Sequence, residues 1–478
     1  MSRTEIVVIL PLIVLAAAPV AIMLTITVRR SYEVSAALAF LGLAVALALL
    51  PVASTQGNRQ STMLLLMDNY ALFYMGLLFA TALVLVLLSY RYLKVHSGNH
   101  EEFWMLLLLA TLGSAVMVAS VHFASFFLGL EVLSISLYAL IGYHRTSAIG
   151  AEAAVKYLVL AAVSTAFLLF GMALVYAETG SMEFGQIAAA RGGLGDPERV
   201  VFLAGMGLMV VGIGYKLAVV PFHMWAPDVY EGAPVPVTAL IATVSKGGMF
   251  AVLLRLFTQI GFRADDELFW LFTAVAIASM FAGNLLALLQ NNVKRILAYS
   301  SIAHLGYLLT AFLASGSLAV TAVTFYFIAY FVASVGSFGV MTVLSGPDRD
   351  ADQIEDYRGL FWTRPWLAGV FTIMLLSMAG MPLTAGFVGK FYLVAAGAQS
   401  SLWALVMILV ATSVIGLFYY LRIIVAMYSQ PSEEEGGAGF PALPSPSETV
   451  VLAMATALSV WLGVYPSALI HIIPSAIR

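Results

Sequence analysis

The chain has 478 residues, 62% of them hydrophobic and only 10% charged, and its mean hydropathy of +0.98 lies far outside the range of a soluble globular protein. A net charge of −3, a pI near 6.2 and the lack of any basic run argue against nucleic-acid binding. With no cysteine there is no disulfide and no thiolate-held iron–sulfur cluster in this chain, so electron transfer belongs elsewhere or to a bound group that the sequence does not advertise.

Apolar runs of about 20 residues, each enough to cross roughly 30 Å of hydrocarbon, predict fourteen membrane spans. They cover approximately 5–28, 33–53, 69–93, 102–120, 122–143, 150–177, 200–226, 235–257, 268–290, 293–313, 318–344, 364–398, 401–428 and 448–470. The expected fold is therefore all-α and polytopic. Ala16-Ala17-Ala18 resembles a signal-peptidase site, but the apolar run continues to Val28 and Arg3 is offset by Glu5, which favours a retained helix.

Lysine and arginine bias sets the expected orientation. With the N-terminus outside, the inner loops hold Arg29, Arg30, Arg91, Lys94, Arg145, Lys294, Arg295, Arg349, Arg358, Arg364 and Arg422, against Arg3, Arg59, Arg191, Arg199, Arg263 and Arg478 outside. Both termini are expected on the outer, periplasmic side of a bacterial inner (plasma) membrane. The soluble parts are a Gly-rich outer loop (Arg191 to Asp196), an acidic inner loop (Asp348 to Asp356) and a flexible inner linker, PSEEEGGAGFPALPSPSE; none is long enough to be a domain.

Two spans are long and interrupted. The seventh carries Lys216, Pro221 and Pro227; the twelfth carries Gly380-Met381-Pro382, then Gly386, Gly389 and Lys390. A proline removes a backbone donor and frees a carbonyl, a gap that survives in a membrane only where protein or a water-lined cavity satisfies it. The breaks lie five spans apart, and a five-span repeat starts on opposite faces in its two copies, so inverted repeats are expected. The expected divisions are a three-span N-terminal segment (1–101), a first repeat (102–258), a second inverted repeat (268–428), and a linker with the last span (429–478). Gly205, Gly207, Gly212 and Gly214 are expected to let helices approach closely.

Four ionisable residues lie deep inside spans: Glu131 in the fifth, Lys216 in the seventh, Lys246 in the eighth and Lys390 in the twelfth. A lysine at mid-membrane costs roughly 2.5–3.5 kcal/mol on insertion scales, and alternating glutamate and lysine sites joined by polar groups or water make a proton relay. Single residues have plainer readings too, such as an arginine partner for Glu131 or snorkelling by Lys246. His223, just after Pro221, and His304, in a span dotted with Ser300, Ser301 and Tyr307, form a second tier that can link lysines through water or simply pack. Glu152 and Lys156, helix-spaced near the start of the sixth span, read equally as a structural pair or an inner-side proton uptake point. Lys294 and Arg295 read as positive-inside determinants.

The strings PFHMWAPDVYEGAPVPVTALIATVSK, LGLEVLSISLYAL and NNVKRILAYSSIAHLGY resemble the subunit N family of the antiporter-like membrane subunits of bacterial NADH-quinone oxidoreductase, respiratory complex I, over essentially the whole chain. The resemblance implies a fourteen-helix proton-translocating module with two inverted five-helix repeats, whose channel is carried by the positions of Glu131, Lys216, Lys246 and Lys390. It also implies that this chain holds no cofactor, that FMN, iron–sulfur clusters, NADH and quinone are bound by partner subunits, and that its partners are lipid and the other membrane subunits, including neighbouring antiporter-like ones. A sodium/proton antiporter subunit without redox activity is the alternative that the same four residues would serve.

Overall fold

The structure, a computed structural model, describes residues 3–55, 57, 59–96, 98, 100–430 and 443–477; most of the linker expected before the last span, residues 431–442, lies outside them. Thirteen helices among the described residues are long and apolar enough to cross a membrane. In order they are Glu5–Val28, Tyr32–Ser54, Asn69–Val95, Glu101–Ala119, Phe123–Ile141, Ala148–Thr179, Asp196–Leu217, Val235–Ile260, Asp266–Leu288, Val293–Leu313, Ser317–Leu344, Trp403–Tyr428 and Pro446–Val464. The twelfth span, counted between Leu344 and Trp403, is made of two shorter helices, Pro365–Ala379 and Ala385–Gln399. The chain is thus an all-helical polytopic membrane protein, as its hydropathy predicts, with a small hairpin of Arg59–Thr62 and Leu65–Met67 between the second and third spans.

Many spans are apolar all round, because in lipid the outside of a bundle faces hydrocarbon rather than water. Ile135 of the fifth span, Phe170 of the sixth and Val425 of the thirteenth are each about 60% exposed, whereas the whole of the tenth span is buried apart from Arg295 near its start. That burial places the tenth span at the centre of the bundle. The fourth span packs along the fifth and the sixth along the seventh; likewise the ninth packs along the tenth and the eleventh along the second half of the twelfth.

Several of these contacts need glycine. A Cβ on Gly205 would lie 2.9 Å from the Gly171 carbonyl oxygen, and one on Gly212 would lie 2.6 Å from Leu168 Cβ, so the sixth and seventh spans touch backbone to backbone. Gly214 is similarly closed off by Phe222, but Gly207 faces open space and plays no part in close packing.

Three element boundaries depart from the hydropathy reading. The seventh span stops at Leu217 rather than running on to 226, because Ala218 turns into the left-handed region (φ 60°) and Pro221 follows; a separate short helix, Trp225–Gly232, leads to the eighth span. The eighth span widens into a π turn over Ile241–Ser245, directly before Lys246. The last span ends at Val464, and Pro466 separates it from a final helix, Ser467–Ile477.

Ion pairs collect at the two ends of the bundle, where charges can reach water. The end expected to be inner holds Arg30–Glu102, Arg91–Glu448, Lys294–Asp350, Arg295–Asp228 and Arg295–Glu231. The other end holds Arg255–Asp68, Arg191–Asp265 and Arg199–Glu267. Lys294, expected only as a topological charge, is in fact 1% exposed and bonded to Asp350 at 2.5 Å and to the Ala233 carbonyl at 2.9 Å.

Candidate proton path

The helix breaks and the crowded core set three ammonium groups into polar niches. Lys216 sits in the last turn of the seventh span, 3% exposed; its Nζ donates to Ser134 Oγ at 3.0 Å and to the Tyr157 hydroxyl at 2.7 Å, 5.1 Å from the centre of that ring. Ser134, whose hydroxyl donates to the Leu130 carbonyl at 2.6 Å, lies three residues beyond Glu131 on the fifth span, so Glu131 and the partner of Lys216 are one helix turn apart. Glu131 itself accepts from Thr165 Oγ1 at 3.2 Å and makes no ion pair with Lys216. Its helix presents Leu128, Val132 and Ile135 outward, and Glu131 is half-buried beside that apolar face.

Lys246 is fully buried, and its Nζ donates to Ser301 Oγ at 2.6 Å under the Tyr230 ring, 5.6 Å away. Three residues along the tenth span from Ser301, His304 is 3% exposed and bonds the hydroxyls of Tyr326 and, at 3.1 Å, Tyr420. Tyr420 in turn bonds Ser300. Three residues further, Tyr307 presents its ring 5.2 Å from Lys390 Nζ and accepts from Asn284 Nδ2 at 2.9 Å. Ser301, His304 and Tyr307 therefore form one face of one helix, rising about 9 Å from the niche of Lys246 to that of Lys390.

Lys390 is 9% exposed and closes the break in the twelfth span. Its Nζ donates to the Ala379 carbonyl at 2.8 Å, one of those the interruption leaves without an amide partner, and to Ser413 Oγ at 2.6 Å. No carboxylate among the described residues lies within 4 Å of any of these three ammonium groups.

The remaining predicted residues fall elsewhere. His223 is 7% exposed in the segment between Leu217 and Trp225; its ring makes no hydrogen bond of good geometry, only a loose approach to the Pro221 carbonyl, and none to a lysine. Glu152 and Lys156 pair at 2.7 Å on an exposed face, and Lys156 also holds Asp228 at 2.8 Å. Arg295 holds Asp228 and Glu231, each at 2.8 Å, so Asp228 and Glu231 of the WAPDVYEG helix tie the sixth span to the tenth. Sequence reading missed these two acids, although an i, i+3 pair of carboxylates on a short helix was visible.

Burial works against the charged forms of Asp228 and Asp350, but the hydrogen bonds and charges of Lys156, Arg295 and Lys294 prevail and hold both carboxyls below their ordinary 3.8. A depressed carboxyl contributes stability above its unfolded value that is lost as pH falls through its folded one. Exchange protection of peptides covering residues 345–353 in the purified assembly is thus expected to hold from pH 7 down to about 4 and fail below that. Asp350→Asn should weaken protection already at pH 7, by about 2 kcal/mol for removing a charge-assisted hydrogen bond beside a buried lysine. Unchanged protection in the variant would contradict the anchoring role.

Fold and niches together define a polytopic membrane subunit with a buried row of lysines. The family described as NADH:quinone oxidoreductase/Mrp antiporter, TM matches residues 120–416. The chain is 50% identical to the NADH-quinone oxidoreductase subunit N of Nitrosospira multiformis over 99% of its own length and 96% of the relative's, and 45% identical to that of Ectopseudomonas mendocina, over 99% and 97%. It superposes with a TM-score of 0.82 and 32% identity on a chain of respiratory complex I from Thermus thermophilus with bound aureothin, covering 96% of this chain and 98% of that one. The chain belongs to the NADH-quinone oxidoreductase subunit N family.

Proposed function

We propose that this chain is a proton-translocating membrane subunit of a bacterial NADH-quinone oxidoreductase, and that Glu131, Lys216, Lys246 and Lys390 carry the protons. NADH oxidation and quinone reduction take place in partner subunits that hold FMN and iron–sulfur clusters. The chain lies in the bacterial plasma membrane with both termini outside. The observation that carries this reading is the Ser301–His304–Tyr307 face of the tenth span, which joins the niches of Lys246 and Lys390. Three ammonium groups without a carboxylate partner each cost roughly 2.5–3.5 kcal/mol on insertion scales, more than a packing role needs, and each has a hydroxyl partner able to pass a proton on.

In this mechanism a neighbouring membrane subunit alters the charge felt at Glu131, on the half-buried face of the fifth span. Glu131 acts on Lys216 across Ser134. A proton released there passes by way of Lys246, the Ser301–His304–Tyr307 face and Lys390, each lysine alternating between ammonium and amine. The spans from the fourth to the eighth and from the ninth to the thirteenth act as inverted copies. The pairing of fourth with fifth and sixth with seventh is repeated as ninth with tenth and eleventh with twelfth, and each copy places a lysine beside its break.

Native-gel separation of mildly solubilised membranes, with an NADH dehydrogenase stain, is expected to place the chain in a large NADH-oxidising band. Lys246→Met in that assembly should reduce NADH-driven proton pumping by about tenfold while the assembly still oxidises NADH. Migration only in bands without that activity would move the reading to a sodium/proton antiporter subunit, since the matched family includes those proteins.

A further inference from the structure

At the end of the bundle that carries Arg30 and Arg145, a cavity of about 580 Å³ opens between the fourth and fifth spans and the loops that follow the first, third and fifth. Arg30, His100, Glu102, Tyr143, His144 and Arg145 line it, and nothing in the lysine row explains it. His144 stands between this cavity and the protein interior. One face of its ring stacks on His96 at 4.6 Å between ring centres, and its Nε2 lies 3.4 Å from the Tyr92 hydroxyl. Tyr92, 4% exposed, donates to Asp350 Oδ1 at 2.8 Å, which leaves its oxygen to accept from His144. Asp350 Oδ2 accepts a hydrogen bond from Lys294 Nζ at 2.5 Å. Four titratable groups from two spans and two loops thus make one continuous hydrogen-bonded chain from open cavity to buried ammonium.

We propose that the His144–Tyr92–Asp350–Lys294 chain is the inner-face inlet that reloads Lys246 with protons. The inference rests on the pumping function and orientation proposed above. Lys294 begins the tenth span, and Ser301, which bonds Lys246, lies seven residues further along it, about 10 Å up the same helix. When a proton leaves Lys294 toward Lys246, the Asp350 carboxylate takes the Tyr92 hydroxyl proton and gives one to the Lys294 amine, Tyr92 is reprotonated by His144 Nε2–H, and His144 takes one proton at Nδ1 from water in the cavity. One proton enters, one leaves inward, and each group regains its starting charge once the imidazole has turned over.

The other groups facing the chain suit that task. His96 donates Nδ1–H to the Tyr92 carbonyl at 2.7 Å, and His100 reaches the His96 carbonyl at 3.0 Å, so both rings are fixed by backbone and hold the stack in place. Burial, then His96, push His144 down to about 4 despite the opposing pull of Asp350. Near neutral pH the ring is therefore an uncharged imidazole, the form that can take a proton at one nitrogen and give one from the other. A merely structural role for Asp350 and Lys294 would need neither the Tyr92 hydroxyl nor a histidine at the cavity wall.

The test uses inverted membrane vesicles containing the whole assembly, with the NADH-driven membrane potential read by an oxonol dye. Tyr92→Phe keeps the ring stack and removes only the hydroxyl; His144→Ala opens the cavity wall. Both are expected to pump about tenfold more slowly while oxidising NADH through the flavin at the normal rate with an artificial acceptor. Imidazole in the medium should restore His144→Ala toward the wild-type level measured in the same buffer, and should not restore Tyr92→Phe. Normal pumping in Tyr92→Phe overturns the inlet, and so does a His144→Ala defect that imidazole leaves untouched. Should His144→Ala fail to assemble, Tyr92→Phe alone decides the matter. Lys246→Met separates the two proposals: if it stops pumping while Tyr92→Phe pumps normally, the lysine row stands and only the inlet fails.

Discussion

Lys216→Ala is expected to cut NADH-driven proton pumping by about tenfold or more in an assembly that still forms and still oxidises NADH. The expectation follows from where the ammonium sits. It is 3% exposed and reaches only the Tyr157 hydroxyl and that of Ser134, which stands one helix turn from Glu131. Alanine removes the charge and leaves a small void next to Tyr157, whose ring is otherwise held against Trp225 at 4.8 Å, so the niche should survive. Lys216→Arg sharpens the test. A guanidinium keeps the positive charge but does not give up its proton in a protein, so a relay needs lysine whereas a fixed countercharge for Glu131 does not. Failure of pumping in both variants supports alternation between ammonium and amine. Pumping kept by arginine would reduce Lys216 to a fixed charge, and pumping kept by alanine would remove it from the path.

The sequence exposes charges in membranes far better than it exposes their partners. Glu131, Lys216, Lys246 and Lys390 stand out because ionisable groups are rare and costly in hydrocarbon, whatever surrounds them. Ser134, Tyr157, Tyr230, Ser413 and Asn284 carry no such signal, since hydroxyl and amide side chains are common in spans and many pack without meeting a charge. Only Ser301, His304 and Tyr307 offered a pattern, a three-residue spacing along one helix face, and its meaning depended on the tenth span being central. The interruption near Pro382 was legible because proline and glycine act locally. The π turn before Lys246 was not, because Ile241–Ser245 reads as ordinary helix and the widening comes from packing of an all-buried segment. His223 stood out for its place after a proline, and in the segment from Ala218 to Met224 its ring makes no direct hydrogen bond to a lysine.

Gly386→Ala is expected to disable the subunit as thoroughly as loss of a lysine, though no charge changes. Gly386 begins the second half of the twelfth span, and its amide donates to Ser377 Oγ at 3.1 Å in the last turn of the first half. A Cβ there would lie 1.7 Å from the Ser377 carbonyl oxygen and 2.6 Å from its carbon. The obstacle is backbone, which cannot rotate aside, so the two half-helices must move apart. Overpacking of this kind costs about 1–3 kcal/mol, and more where the backbone is the obstacle. Lys390 lies one turn further along the same half-helix and holds the Ala379 carbonyl of the other half at 2.8 Å, so separation of the halves pulls its ammonium out of the niche. Pumping should therefore fall by about tenfold or more, together with a lower thermal midpoint for the assembly. Gly369, in the first half of the same span, provides the control: a Cβ there meets nothing within 4 Å, and Gly369→Ala should be neutral or stabilising by up to about 1 kcal/mol. Equal behaviour of the two alanine variants would show that the break tolerates movement. The geometry that seats Lys390 would then not be what the relay depends on.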